Sequence, residues 1–242
     1  MRFRKALKTL DTKTREELIS LFDRAAWTLG FSSLSTQDKE PLDVEAAVVL
    51  VAFIVSAREL RLGRFLPVLI HWLSVRHHLL NAAKLLKMAR ATEATLGELP
   101  ALRLAMHTLR AADPKKFQNF RPAPLSMPFY TEPRLAALVD RKVASEGFFI
   151  DLMETDGFRL PKSAFPRRAS DLISEKALLQ RNEQLRTRLL HGPSYRADAI
   201  LLLRDSPDMK ACELSDTLML SYEPAHRLVS EVAHYRSLGF AL

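Results

Sequence analysis

The chain of 242 residues contains a single cysteine and only seven glycines. Cys212 alone cannot form an internal disulfide, and the sequence offers no cysteine-based zinc site. Few glycines mean few turns with positive φ, and the glycine-rich phosphate-binding patterns of the P-loop and of GxGxxG are absent. These absences favour a mainly helical protein in a reducing compartment, so we expect a cytoplasmic location.

Long hydrophobic runs are also missing. The most apolar run covers residues 46–57, about 12 residues, whereas a membrane-spanning helix needs roughly 20. The basic N-terminal stretch lacks the apolar segment of a secretory signal. We therefore expect no membrane partner and interpret the apolar run as part of a buried helix.

Charge and apolar content are more informative than the absences. The formal net charge is +8 and the apolar fraction is 48%. That apolar fraction is sufficient for a sizeable core. The basic balance favours an anionic partner such as nucleic acid, without locating where it binds.

Apolar residues recur at helical spacing along most of the chain. They predict helices over residues 14–29, 44–61, 64–91, 99–112, 133–146 and 168–191. Asp11 or Thr12 is the expected N-cap of the first helix. The last of these helices is expected to be a solvated connector, because its charges alternate in sign.

Two stretches interrupt this helical pattern. Five prolines in residues 114–133 exclude regular helix and central strand. They predict an extended strap packed by aromatic side chains, or alternatively a hinge between subdomains. Asp156 followed by Gly157 is a strong turn signal and predicts a small hairpin within residues 148–165. The expected fold class is therefore mainly α, with one possible β-hairpin.

The last fifty residues divide into three helical segments, predicted at residues 194–204, 210–217 and 222–237. A short second helix, a tight turn and a longer third helix are the elements of a helix-turn-helix. In this motif the second helix braces the third, whose N-terminal side chains reach base edges in the major groove. Ser221 stands at the expected N-cap of the third helix.

The spacing of apolar residues in this segment resembles that of bacterial winged-helix regulators. The resemblance rests on residues 196–203 (RADAILLL), 212–218 (CELSDTL), 228–232 (LVSEV) and 238–240 (LGF). It implies a DNA-binding transcriptional regulator with a helix-turn-helix domain at residues 191–242. Residues 1–190 would then form a helical bundle domain that dimerises or senses a signal.

The side chains expected at DNA lie near the helix starts of this segment. They are Ser221, Tyr222, His226, Arg227, Lys210 and Arg196. A short helix-turn-helix buries little base-contacting area on its own, so a homodimer is expected. No catalytic residue, metal or cofactor is expected.

The local charge favours a different interpretation. Residues 193–242 contain five basic and seven acidic side chains, a net charge of −2, whereas DNA affinity depends on phosphate neutralisation by lysine and arginine. Positive charge lies instead in an N-terminal arm and in residues 58–90, which carry about +6. Such an arm can follow phosphates or enter a minor groove. The alternative is a helix-turn-helix used for packing, in a non-enzymatic protein-interaction module such as an adaptor or an antitoxin-like partner.

Enzymatic patterns are weak. His71 and His78 share a helical face but are separated by about 10.5 Å of rise, too far for one metal without further ligands. Asp151 is expected on the opposite strand face from Glu154 and Asp156, which argues against a nuclease metal site.

A ribonuclease is the third hypothesis. Arginine followed by histidine at the spacing used by a family of helical ribonucleases of bacterial defence systems occurs three times, at Arg64/His71, Arg186/His191 and Arg227/His234. In that chemistry the arginine would steady the phosphate, and the histidine would assist attack by the 2′-hydroxyl. Surface decoration of helices is the simpler explanation of each pair.

Overall fold

The structure is a computed structural model that describes residues 13–32, 40–56, 65–121 and 169–238. These residues are mainly helical, as predicted, and their only β pairing is one isolated antiparallel bridge between Phe31 and Leu172. The predicted helix at 133–146, the hairpin at 148–165 and most of the strap lie outside the described residues. No described helix is both long and apolar enough to cross a bilayer.

Five helices build the N-terminal part within the described residues up to 121. They are α1 (Arg15–Leu29), α2 (Val44–Ser56), α3 (Leu66–Arg76), α4 (Ala82–Leu96) and α5 (Pro100–Ala112). The N-cap of α1 is Thr14, not the expected Asp11 or Thr12. Its hydroxyl accepts from the Glu17 N–H while the Glu17 carboxylate accepts from the Thr14 N–H, which forms a capping box.

Helix α2 lies at the centre of this bundle. Eleven of its thirteen residues are buried, and it packs against α1, α3, α4 and α5. A helix that is apolar on all sides can only be stable when it is covered on all sides. The predicted buried helix is therefore confirmed over the residues that the structure describes.

The continuous helix predicted over residues 64–91 is wrong. Helix α3 ends at Arg76 and a 3₁₀ turn follows at His77–Leu79. Leu80 is extended, and the Asn81 side chain then caps α4 by accepting from the Lys84 N–H. An asparagine can satisfy a free helix N-terminus, so it favours a new start over continuation.

Only the first part of the predicted strap is described. Phe117 and Phe120 are buried, and their rings meet edge to face with centroids 5.1 Å apart. The ammonium of Lys116 donates to the carbonyls of His77 and His78. This segment is thus packed on the bundle, as the aromatic residues predicted.

The single connector helix predicted over residues 168–191 is also wrong. Two helices are present, α6 (Glu175–Arg181) and α7 (Glu183–His191). Asn182 between them ends α6, and its side chain caps α7 by accepting from the Leu185 N–H. Glu175, Lys176, Arg181 and Arg186 are exposed, as a solvated connector predicts, but Arg188 is fully buried.

Three helices form the C-terminal part at the predicted places, within one residue at each end. They are α8 (Tyr195–Asp205), α9 (Ala211–Leu218) and α10 (Tyr222–Ser237). Their facing sides enclose a small second core made by Ala199, Leu203, Leu214, Leu218, Ala225 and Val232. The structure does not test the predicted division into two domains at residue 190, but α7 and α8 pack against each other across it.

Candidate nucleic-acid interface

A tight turn joins α9 to α10. Met219 adopts the left-handed conformation, with φ of 56°, and its N–H donates to the Ser215 carbonyl. The Leu220 N–H donates to the same carbonyl, while the Ser215 hydroxyl donates to the Leu220 carbonyl at 2.8 Å. These three bonds close α9 and fix the direction in which α10 leaves it.

Apolar spacing predicts inner faces made by Ala211, Leu214 and Leu218 of α9 and by Ala225, Leu228, Val229, Val232 and Tyr235 of α10. Ala211, Leu214 and Leu218 of α9 are buried, and Ala225 and Val232 of α10 pack against them. Tyr235 was expected to be buried as well, but it is 36% exposed. Helix α9 thus braces the first two turns of α10, the relation that a helix-turn-helix requires.

The opposite face at the start of α10 is open among the described residues. Tyr222 is 59% exposed, and Ser221, His226 and Arg227 are exposed as well. The Tyr222 and His226 rings lie 5.8 Å apart. The Arg227 guanidinium lies 3.5 Å from the Glu223 carboxylate, and both side chains are more than 70% exposed. Such an exposed pair is weak, so Arg227 remains available to an anion.

The six predicted contact residues do not all lie together. Ser221, Tyr222, His226 and Arg227 share the start of α10, and Lys210 is exposed at the N-cap of α9. Arg196 lies elsewhere. It pairs with Glu231 and donates to the Tyr235 hydroxyl at 3.3 Å, beside a mainly apolar groove of about 330 Å³ between α8 and the second half of α10.

No protein-family model, curated protein or solved structure matches this chain. The resemblance to winged-helix regulators therefore stays a prediction, and Gly239 and Phe240, where a wing would begin, lie outside the described residues. The geometry of the chain itself must support any functional proposal.

A buried charge cluster joins the C-terminal helices to the bundle, and sequence reasoning missed it. Asp43 and Glu45 come from the start of α2, Lys84 from α4, Arg188 from α7 and Asp198 from α8. All but Asp43 have side chains no more than 2% exposed. Only the isolated charges within otherwise apolar stripes, such as Glu45 beside the run 46–57, could have indicated it.

Arg188 is the centre of this cluster. Its guanidinium donates to both Glu45 oxygens at 2.6 Å, to both Asp198 oxygens at 2.8 and 2.7 Å, and to the Leu79 carbonyl at 3.1 Å. Lys84 pairs with Asp43 and lies 2.7 Å from Asp198. The Gln184 amide bridges the same two aspartates at 2.8 and 3.1 Å. Every charge therefore has an oppositely charged partner, as burial demands.

These contacts keep the cluster ionised. Burial alone would raise the pKa of Asp198, but the charges of Lys84 and Arg188 outweigh it and hold that pKa at about 2. Burial would likewise lower the pKa of Lys84, yet the nearby carboxylates raise it above its ordinary value. Burial raises the pKa of the neighbouring Tyr195 hydroxyl to about 12. None of these groups changes charge near neutral pH, so the cluster is a fixed link between α8 and the bundle.

Asp43, Glu45 and Asp198 are close enough for their carboxylates to hold a metal ion. The Lys84 ammonium lies within 3.6 Å of all three, so a cation already lies among the carboxylates where a metal ion would bind. The two remaining candidates are no more compelling. His78 lies 3.6 Å from Glu175 on the surface, and residues 151–156 lie outside the described residues.

The ribonuclease hypothesis gains no geometric support. Arg186 lies 3.6 Å from Glu183 on an exposed surface, and Arg227 pairs with Glu223. Arg64 lies outside the described residues. Both described arginines thus have a carboxylate neighbour on their own helix, as surface decoration would predict.

Proposed function

We propose that this protein is a DNA-binding transcriptional regulator that inserts the start of α10 into the major groove. The observation that carries the proposal is the exposed, braced first two turns of α10. Tyr222, His226 and Arg227 project from that face, while α9 supports the helix from behind. Arginine can donate two bonds to guanine, and tyrosine and histidine supply polar atoms at the edge of an aromatic ring.

The direct test is a titration of fluorescent genomic DNA fragments with the full chain at 50 and 200 mM salt. Binding that weakens steeply with salt supports the proposal, because each neutralised phosphate releases counterions. Absence of binding even at 50 mM salt would overturn it and favour the protein-interaction module. Degradation of RNA in a parallel incubation would instead support the ribonuclease.

Two histidines on α10 provide a matched pair of variants. His226 lies on the open face near the helix start, whereas His234 lies two turns further along, about 12 Å away by helical rise. Both are exposed. On a selected binding site, we expect His226→Ala to weaken binding by about five- to tenfold, which corresponds to the lower end of one lost base contact. His234→Ala should leave affinity unchanged, and equal effects of the two variants would contradict the proposed orientation of α10.

We further propose that the protein binds DNA as a homodimer. Leu189 and Leu190 at the end of α7 are 55% and 80% exposed, and Leu238 at the end of α10 is 58% exposed. The apolar groove beside Arg196 is lined by residues of α7, α8 and α10. Its one arginine and one glutamate balance in charge, so a second copy could meet it without repulsion. Apart from Leu228, the groove residues of α10 lie in the second half of the helix, so the first turn of α10 in each copy stays free to contact DNA.

A further inference from the structure

Helix α4 of the bundle lies against the turn between α9 and α10. The Lys87 ammonium donates to the Met219 carbonyl at 3.1 Å and lies 5.7 Å from the centre of the Tyr195 ring. The Met219 side chain itself is buried in the main core of the bundle, not in the small C-terminal core. Helix α4 is therefore fixed beside the point where α10 begins.

The same helix is anchored a second time, one turn earlier. Lys84 is buried and lies 2.7 Å from Asp198 of α8. Because both Lys84 and Lys87 contact the C-terminal helices, α4 cannot turn away without breaking the charge cluster. Its exposed face consequently has a defined position relative to the start of α10.

That exposed face carries positive charge. Lys87 and Arg90 are both exposed and lie three residues apart, which places them on one side of α4. Neither forms an ion pair with any carboxylate among the described residues, in contrast to Arg196, Arg204 and Arg227 of the C-terminal helices.

These two side chains change the charge balance that opposed DNA binding. Of the seven acidic residues in 193–242, Asp198 is buried and neutralised by Lys84 and Arg188. Six acidic side chains then remain against five basic ones. Adding Lys87 and Arg90 to the side chains of residues 193–242 gives seven basic groups against these six acidic ones.

We propose that Lys87 and Arg90 contact DNA phosphates beside the groove that α10 enters. The phosphate-binding surface is then shared between the helix-turn-helix and the bundle, and α4 is its second element. This inference rests on the proposed function. The shared surface explains how residues 193–242, with their negative net charge, could bind DNA. The positive charge that phosphate binding needs comes from a different part of the chain.

The test compares the salt dependence of DNA binding by full-length variants. Each phosphate contact contributes about 0.9 to the slope of log affinity against log salt. When the salt concentration rises from 50 to 200 mM, the affinity of both chains for DNA falls. The factor by which it falls should be about 3.5 times smaller for Arg90→Ala than for the wild-type chain. Arg110→Ala is the matched control, since Arg110 is an exposed arginine on α5, which packs against α2 and α3.

Lys87 also contacts the Met219 carbonyl, so its removal could disturb the turn. Lys87→Gln keeps a donor at this place while removing the charge, and its melting temperature should stay close to that of the wild-type chain. The double variant Lys87→Gln/Arg90→Ala should reduce the magnitude of the slope of log affinity against log salt by about 1.8. A wild-type slope retained in the double variant overturns this inference alone, whereas a wild-type chain that binds no DNA overturns the proposed function with it.

Discussion

Replacing Arg188 by methionine should be among the most destabilising single changes in this protein. The guanidinium is fully buried and donates five hydrogen bonds, four of them to the carboxylates of Glu45 and Asp198. Methionine is unbranched and flexible enough to fill most of the same space. The variant therefore removes the charge and its bonds while leaving only a small cavity.

The expected loss of stability comes from the carboxylates that Arg188 leaves behind. Three buried or half-buried carboxylates would face the single ammonium of Lys84. Removing one partner of a buried ion pair costs about 3–5 kcal/mol, because the other partner stays buried and unpaired. The Leu79 carbonyl also loses its donor. Against a total stability of about 5–15 kcal/mol for a typical domain, this loss is large.

The assay is equilibrium unfolding in urea at pH 7, monitored by circular dichroism. Arg186→Met is the matched control, since it makes the same substitution two residues earlier on α7. Arg186 is half exposed and lies 3.6 Å from Glu183, so its removal should cost less than about 0.5 kcal/mol. The Glu45 carboxylate also accepts from the Asn81 N–H at 2.8 Å. A second variant, Arg188→Met/Glu45→Gln, keeps an acceptor for that N–H and removes one of the carboxylate charges that Arg188 leaves unpaired. It should recover about 1 kcal/mol or more.

The pH dependence provides an independent check. In Arg188→Met the Asp198 carboxylate loses a cation, so its folded-state pKa rises and it takes up a proton more easily as pH falls. The difference in free energy of unfolding between Arg188→Met and the wild-type chain should therefore be smaller at pH 4 than at pH 7. If Arg188→Met cost no more than Arg186→Met at pH 7, the buried cluster would not be held as the structure shows.

Three further results are expected. The wild-type chain should lose on the order of 2 kcal/mol of stability as pH falls from about 5 to 2. The reason is that Asp198 has a folded-state pKa of about 2, below its ordinary value, so its carboxylate takes up a proton when the chain unfolds in this range. Asp198→Asn should flatten this part of an acid-unfolding curve. Leu190→Ser should shift sedimentation towards the monomer, whereas Ile19→Ser, at a 37% exposed site on α1, should not. Thr14→Ala should lower stability by about 1 kcal/mol in thermal unfolding, because it removes the capping box of α1.

The sequence was sufficient where one periodic signal decides the outcome. The bounds of α1, α5, α8, α9 and α10 follow within one residue from apolar spacing, since a helix must bury one face. The buried faces of α9 and α10 were predictable for the same reason, Tyr235 excepted. The exposure of the start of α10 was predictable from the same apolar stripe, because the side chains on the opposite face of the helix are polar.

The breaks within predicted long helices were not predictable from periodicity. The apolar spacing continues through residues 64–91 and 168–191, while Asn81 and Asn182 each cap a new helix start. Asparagine also occurs inside helices at modest cost, so its capping role depends on whether the following helix finds a better packing direction. Only the completed core settles that choice.

What the sequence by itself determined is the mainly helical class and the three C-terminal helices with their inner faces, because local spacing and capping act over a few residues. What only the tertiary structure decided is the pairing of distant charges. Asp43, Lys84, Arg188 and Asp198 are far apart in the chain, and each looks like an ordinary surface residue in its own segment. They meet because the bundle and the C-terminal helices pack together, and that packing also places Lys87 beside the start of α10.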